Sequence, residues 1–412
     1  MNTNTLFDRN KIKTLVKNYT MVIALVVVFI FFSYWTEGRL LYAQNLSNLL
    51  IQNAYVLVLA CGMLMCILTG GNIDLSVGST VCLIGAISAQ MLTKHNMNPI
   101  AAIIICLLIS IVIGMWQGFW IGYVHIPPFI CTLAGMFLFR GFGRAILESK
   151  TIAFQQTEGS NGKKFLDIFT SYIEVPSIDN SWKVMVDGKE VTVRLSAFIA
   201  GIAIAVALIA ITVMKRAKKA KKGYKQEPIV SQFAKIIIID VLILAYSWKL
   251  ALYKGIPVMA LWVLAVVFIY AFITSKTAFG RYFYAVGGNE KATKLSGIDT
   301  KKVYFLAYTS MSLLAGLSGL LVAARVGSVN GDTGNSFEMD AIGSCFIGGA
   351  SAYGGSGTVG GIMVGAILLG VINQGMSIKG LDNNWQYVVK GSVLLVAVIF
   401  DVVSNKKTGK AG

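Results

Sequence analysis

Apolar residues run in long stretches along this chain, interrupted by short polar or glycine-rich breaks, and the alternation repeats almost from end to end. About 20 apolar residues of helix cross the hydrocarbon of a bilayer. The pattern therefore predicts spans at roughly 19–36, 46–69, 75–93, 99–123, 126–147, 194–214, 234–252, 257–275, 303–325 and 385–403. A glycine-rich pair at about 338–353 and 357–378 completes the set. The expected class is all-α: a polytopic transmembrane helical bundle of about 10–12 spans, including a short Gly-rich re-entrant or half helix. Residues 1–412 read as a single integral-membrane domain.

Composition agrees with this pattern. The chain is 56% hydrophobic and 13% charged, with a mean hydropathy of +0.69, whereas a soluble domain carries about 25% charged residues. A net charge of +17 would suit nucleic acid, but its placement argues otherwise. Lys and Arg gather at Arg9 to Lys17, Lys215 to Lys225, Lys276 to Lys302 and Lys406 to Lys410, between or beyond the apolar runs. Such clusters mark cytoplasmic helix ends, so no nucleic-acid partner is expected and both termini are placed in the cytoplasm. That parity requires the short Ser336–Gly354 segment to cross, or its partner to re-enter. Tyr19 to Trp35 reads as a retained first span, since no small-x-small cleavage site follows it. The six cysteines all fall in apolar runs, without a C-x-x-C or clustered histidines, and read as small packing residues.

Two connections are long. Residues 148–193 are polar and fall on the extracytoplasmic side, and Lys183–Val186 and Glu190–Val193 alternate about Asp187-Gly188, a two-residue hairpin signal. This insert could touch a partner or be a surface ornament. The other, 276–302, falls in the cytoplasm. Asn289 can cap a short helix from Glu290, and Gly297 can end it. A short amphipathic helix at the membrane surface could transmit force from a cytoplasmic machine.

Two glycine-rich breaks stand out. Thr69–Thr80 reads T-G-G-N-I-D-L-S-V-G-S-T, and residues 343–361 read G-S-C-F-I-G-G-A-S-A-Y-G-G-S-G-T-V-G-G. Irregular backbone and a carboxylate are tolerated in hydrocarbon only where they are buried or line a wet cavity. Paired broken helices in two halves often mark a substrate path; tight helix packing accounts for the glycines equally well.

These stretches, with I-P-P-F-I-C-T-L-A-G-M and the R-G that follows (Ile126–Gly141), F-G-R-Y-F-Y-A-V-G-G-N-E-K-A-T-K-L-S-G-I (Phe279–Ile298), and N-Q-G-M-S-I with W-Q-Y-V-V-K-G (Asn373–Gly391), occur in order. Together they resemble the permease subunit of bacterial ATP-binding-cassette importers for monosaccharides, the ribose, galactose and xylose group. The helix pair at about 194–252 and the K-G-I-P step at Lys254–Pro257 bring the resemblance nearest to D-xylose or multiple-monosaccharide permeases. The 148–193 insert is longer than that resemblance leads one to expect. The resemblance implies a location in the bacterial inner membrane, a second permease chain as a homodimer, a cytoplasmic ATPase, and an extracytoplasmic sugar-binding protein. It also implies that Gly280, Arg281, Gly287, Asn289, Ala292, Leu295 and Gly297 form the loop on which the ATPase docks. No G-x-x-x-x-G-K-[ST] loop occurs in the chain, so no cofactor is expected here and ATP belongs to the partner.

For the path itself the residues leave choices open. Asn45, Asn48 and Gln52 share one helical face, and with Asn373 and Gln374 they offer donors and acceptors to an uncharged polyol, or they bind helices together. Asn72, Asp74 and Ser76 lie in the first break. Asp74 reads as an N-cap for a helix Leu75–Met91, or else as a proton site. Arg140, Arg144 and Arg325 near helix ends could meet acidic residues of a delivery protein or snorkel to head groups. No cation–anion pair is evident along the path. His95 and His125 stand isolated, without a nucleophile or metal partner at useful spacing, so an enzyme is not expected. The rival functions are the same fold carrying a branched-chain amino acid or nucleoside, and a proton-coupled secondary transporter.

Overall fold

The computed structural model describes residues 9–179, 182–186, 189–223 and 229–407, and in it the apolar runs become helices. In chain order these are α1 (Arg9–Trp35), α2 (Ala43–Gln52), α3 (Ala54–Leu68), α4 (Val77–Thr93), α5 (Pro99–Gly122), α6 (Pro128–Ile146), α7 (Asn161–Thr170), α8 (Pro176–Asp179) and α9 (Leu195–Lys221). There follow α10 (Ile229–Ala251), α11 (Val258–Lys276), α12 (Ala278–Gly288), α13 (Glu290–Leu295), α14 (Thr300–Val326), α15 (Phe337–Ile347), α16 (Val359–Ile378) and α17 (Asn383–Lys407). Among the described residues, seven helical segments are long and apolar enough to cross a membrane: α2 with α3, α5, α6, α9, α11, α14 and α16. The apolar parts of α1 and α17, and the whole of α4, are shorter. The chain is a polytopic helical membrane protein.

Burial sorts these helices. Every residue of α3 is buried, as expected of a helix apolar on all sides, and α3 forms the axis of the bundle. The helix α14 packs on α3, α4 and α5. Its contact with α5 is close because Gly114, Gly118 and Gly122 share one face: a Cβ on any of them would strike α14 backbone at Thr309, Phe305 or Lys301. By contrast α9 and α10 pack chiefly on each other and leave long apolar faces outward, as lipid requires.

The two ends of the bundle differ. One carries the 147–194 insert, tied down by two two-stranded ladders and holding a third within itself. Strands β1 (Ile152–Ala153) and β6 (Ser328–Val329) pair antiparallel, as do β2 (Tyr172–Ile173) and β5 (Ile256–Pro257), and β3 (Lys183–Val186) with β4 (Lys189–Thr192). The last is the expected hairpin, with Val184 opposite Val191; its Asp187-Gly188 turn lies outside the described residues. The first two ladders were not legible as strands, since two residues carry no alternation. The other end carries α12 and α13. There the sequence suggests one short helix and the structure has two, because Thr277 Oγ1 accepts the Gly280 N–H and starts an extra helix before Asn289.

Other boundaries shift for identifiable reasons. The second span breaks at Asn53, whose Nδ2 donates to Ala366 O on α16 at 2.7 Å. The segment after α14 meets the insert through β6. Its half helix α15 then runs to the opposite end, where the turn at Ser351–Gly355 packs beside Gly70 and Gly71. From there α16 returns to the insert end, where Lys379 pairs with Glu37 at 2.8 Å. Ser328–Gly355 therefore runs from one end of the bundle to the other, part loop and part half helix. Asp74 is followed by a turn at Leu75-Ser76, and α4 starts at Val77 rather than Leu75. Lys225 and Lys410 lie outside the described residues.

Candidate translocation path and coupling loop

At the insert end, α2 stops one residue short of the break and leaves a carbonyl free of the helix ladder. Arg325, in the last turn of α14, donates from Nη1 to that carbonyl, Gln52 O, at 3.4 Å. Three cavities meet at Arg325. One of about 260 Å³ is lined by Asn48, Gln52, Thr170, Tyr172 and neighbours. A second of about 170 Å³ is lined by Gln52, Asn53, Tyr55, Asn373, Gln374, Gln386 and Lys390 among others. A third of about 320 Å³ reaches the insert at Gln156, Lys163 and Thr170.

Four of the predicted path residues, Asn48, Gln52, Asn373 and Gln374, therefore line the first two cavities, which share Gln52 and Arg325 as walls. Asn45 does not: its Nδ2 donates to Arg39 O, and its own carbonyl accepts from Gln374 Nε2 at 2.7 Å. Asn373 Oδ1 and Gln374 Oε1 are buried with no hydrogen-bond partner among the described residues.

A charge pair stands beside the second cavity, with Lys390 on its wall and Asp340 buried behind it. Lys390 Nζ lies 2.9 Å from Asp340 Oδ1, and Tyr55 donates its hydroxyl to Asp340 Oδ2 at 2.7 Å. Tyr55 also stacks on Phe337, with ring centroids 3.8 Å apart. The pair was missed because Asp340 lies in a glycine-rich segment and Lys390 in an apolar run some 50 residues later. Two lone charges of opposite sign in neighbouring spans were the available signal.

Asn72, Asp74 and Ser76 are elsewhere. Asn72 Nδ2 donates to Thr69 O at 3.1 Å, closing its own turn. Asp74 Oδ1 accepts from Ser76 N and Ser76 Oγ at 2.8 and 2.7 Å. Gln117 Nε2 donates to Ser76 Oγ at 2.7 Å, and Ser312 Oγ to Gln117 Oε1 at 3.3 Å. This buried chain joins the first break to α5 and α14 and does not line the three cavities.

At the other end, the two glycine-rich breaks and the α12–α13 loop meet. Gly355 N donates to Leu68 O at 3.1 Å. A Cβ on Gly287 would strike Leu68 O and the Gly355 and Gly70 amides, and one on Gly354 would strike Gly70. Tyr284 of α12 donates to Gly357 O at 2.9 Å. Gly70, Gly71, Gly354 and Gly355 all have positive φ, which glycine adopts without steric cost. Gly280 packs on Ile273 O. Asn289 Oδ1 accepts the Ala292 N–H at 2.9 Å and caps α13; Gly297, at φ +83°, ends it. Arg281, Ala292 and Leu295 face outward, Leu295 with 90% of its surface exposed. Among the described residues no large apolar side chain is more exposed than Leu295. Asp299 caps the start of α14 through Lys302 N. Burial pushes its carboxyl up, but the Lys302 hydrogen bonds and charge outweigh this and hold it below its ordinary value.

Comparison with known proteins adds independent findings. The profile of a family described as the permease component of branched-chain amino acid transport systems matches residues 45–398. The xylose transport system permease protein of Haemophilus influenzae is 33% identical over 94% of this chain and 97% of its own length. That of Escherichia coli K12 is 31% identical over 95% and 93%. The ribose import permease protein of E. coli K12 is 28% identical over 88% and 86%. No solved structure gave a significant match.

Proposed function

Because the chain belongs to the family of permease components of branched-chain amino acid transport systems, we propose that it is the membrane subunit of an ATP-binding-cassette importer for a neutral monosaccharide. The curated relatives that cover nearly the whole chain carry xylose or ribose in their names, and this favours a sugar over an amino acid. The observation that carries the reading is the amide cluster at the insert end. Asn373 and Gln374 line the second cavity, Asn48 lines the first, and Gln52 is a wall of both. Sugar hydroxyls supply donors and accept in turn.

In this reading the insert end faces outward and receives sugar from a binding protein, while α12–α13 and both termini face the cytoplasm. The four basic clusters then lie inside, as the charge rule requires. A cytoplasmic ATPase docks on Arg281, Ala292 and Leu295. The path forms between two copies of the chain, and ATP is bound by the partner. Nucleotide binding shifts the helices between two packings, and Gly287 carries the shift to both glycine-rich breaks.

The test is uptake of labelled xylose, galactose, arabinose, ribose and leucine into proteoliposomes. These hold this chain with the ATPase and binding protein encoded beside it. ATP-dependent accumulation of one sugar is the expected result. Accumulation of leucine alone would move the cargo to amino acids. Uptake without ATP that stops when the proton gradient is collapsed would make the chain a secondary transporter.

A further inference from the structure

The three cavities at the insert end share one charged side chain. Arg325 lines all of them, and among the described residues no carboxylate lies within ion-pair distance of it. The other cations on these walls are neutralised locally: Lys390 by Asp340, and Lys163 by Asp167 at 2.7 Å. None of the three linings includes an aspartate or glutamate among the described residues. The guanidinium's only described hydrogen bond goes to a neutral carbonyl, Gln52 O. The side chain is exposed at the insert end, beside the α2 break, and lines all three cavities there.

An arginine is protonated at every working pH. Set among amides, with no carboxylate on the described linings, it raises the potential at the cavity walls, where a fixed charge acts on passing ions. A neutral solute is unaffected and gains donors. A sodium or hydronium ion is repelled, as at other pores that place an arginine against cations.

We propose that Arg325 is a cation filter: it lets a neutral solute enter the mouth while denying Na⁺ and H⁺ the same route when the path opens. This rests on the placement of the path given above. It adds a selectivity role that hydrogen bonding to a sugar does not require. It also gives a role to a cation that has no carboxylate partner among the described residues, while the neighbouring lysines are paired.

The experiment follows ion flux during ATP turnover in proteoliposomes of the assembled importer, with Na⁺-, Cl⁻- and pH-sensitive dyes inside and sugar uptake measured in parallel. For the wild type, any leak that accompanies turnover should favour Cl⁻ over Na⁺. Arg325→Gln should raise the Na⁺ and H⁺ leak relative to Cl⁻ by about tenfold, Arg325→Glu should raise it further, and Arg325→Lys should behave as wild type. A wild-type leak selective for Na⁺ overturns the proposal and needs no variant. So does an unchanged ion ratio in folded Arg325→Gln, or an Arg325→Lys as leaky as Arg325→Gln. A purely structural role in holding the α2 end would alter stability and uptake without altering the ion ratio. If no solute accumulates but the ion ratio follows the charge at position 325, the filter stands and the sugar reading falls.

Discussion

Gly287→Ala, compared with Gly288→Ala, isolates the junction between the α12–α13 loop and the two glycine-rich breaks. The residues are adjacent in the last turn of α12. An added Cβ at 287 would overlap Leu68 O and the Gly355 and Gly70 amides, all backbone atoms that cannot swing aside, whereas at 288 it would meet nothing within 4 Å. Neither residue has positive φ, so alanine is not strained conformationally at either. Overpacking of this kind costs about 1–3 kcal/mol, and a shift of about 1.4 kcal/mol is tenfold in an equilibrium. If the strain falls on the equilibrium between two packings, coupled transport drops by about 5- to 150-fold. Gly288→Ala should be neutral or slightly stabilising, by at most about 1 kcal/mol, since alanine is the better helix former. The assay compares sugar uptake, binding-protein-stimulated ATPase activity and thermal melting in nanodiscs. Equal uptake and equal melting for the two variants would refute the idea that close approach at 287 matters.

Leu295→Glu should leave melting unchanged, since the side chain is 90% exposed, yet abolish co-purification of the ATPase; retained co-purification would remove Leu295 from the docking surface. Asn289→Ala should cost about 1 kcal/mol of local helix stability by removing the α13 cap. Asn289→Asp should retain most of it, with hydrogen exchange at 290–296 as the readout. Asp179 is buried in the insert and accepts from Val175 N at 2.7 Å, Ser196 N at 2.8 Å and Ser196 Oγ at 2.8 Å. Burial pushes its carboxyl up, but those hydrogen bonds and Arg194 outweigh this and hold it below its ordinary value. A lowered folded pKa gives stability that is complete above the unfolded value of about 3.9 and lost as pH falls through the folded one. Limited proteolysis of the 148–193 insert should therefore rise only below about pH 4, and Asp179→Ala should show the same susceptibility at neutral pH. A wild-type insert cleaved equally at pH 3 and pH 7 would count against this.

The spans were legible because a bilayer demands long apolar runs with internally satisfied backbone, a constraint written residue by residue. The α13 cap at Asn289 and its stop at Gly297 were legible because capping is local chemistry. Asn48, Gln52, Asn373 and Gln374 were selectable as amides out of place in apolar helices. Their meeting at Arg325 was not, because contacts hundreds of residues apart leave no local signal. The Asp340–Lys390 pair and the chain from Asp74 through Gln117 to Ser312 escaped for the same reason. The two glycine-rich breaks could be seen to resemble each other, but not to touch. The sequence determined which segments are apolar enough to cross the membrane and that Gly297 ends α13. Only the tertiary structure decided that both breaks close on Gly287 and that the cavities share Arg325, which has no carboxylate partner among the described residues, because helix packing, not helix propensity, sets which faces meet.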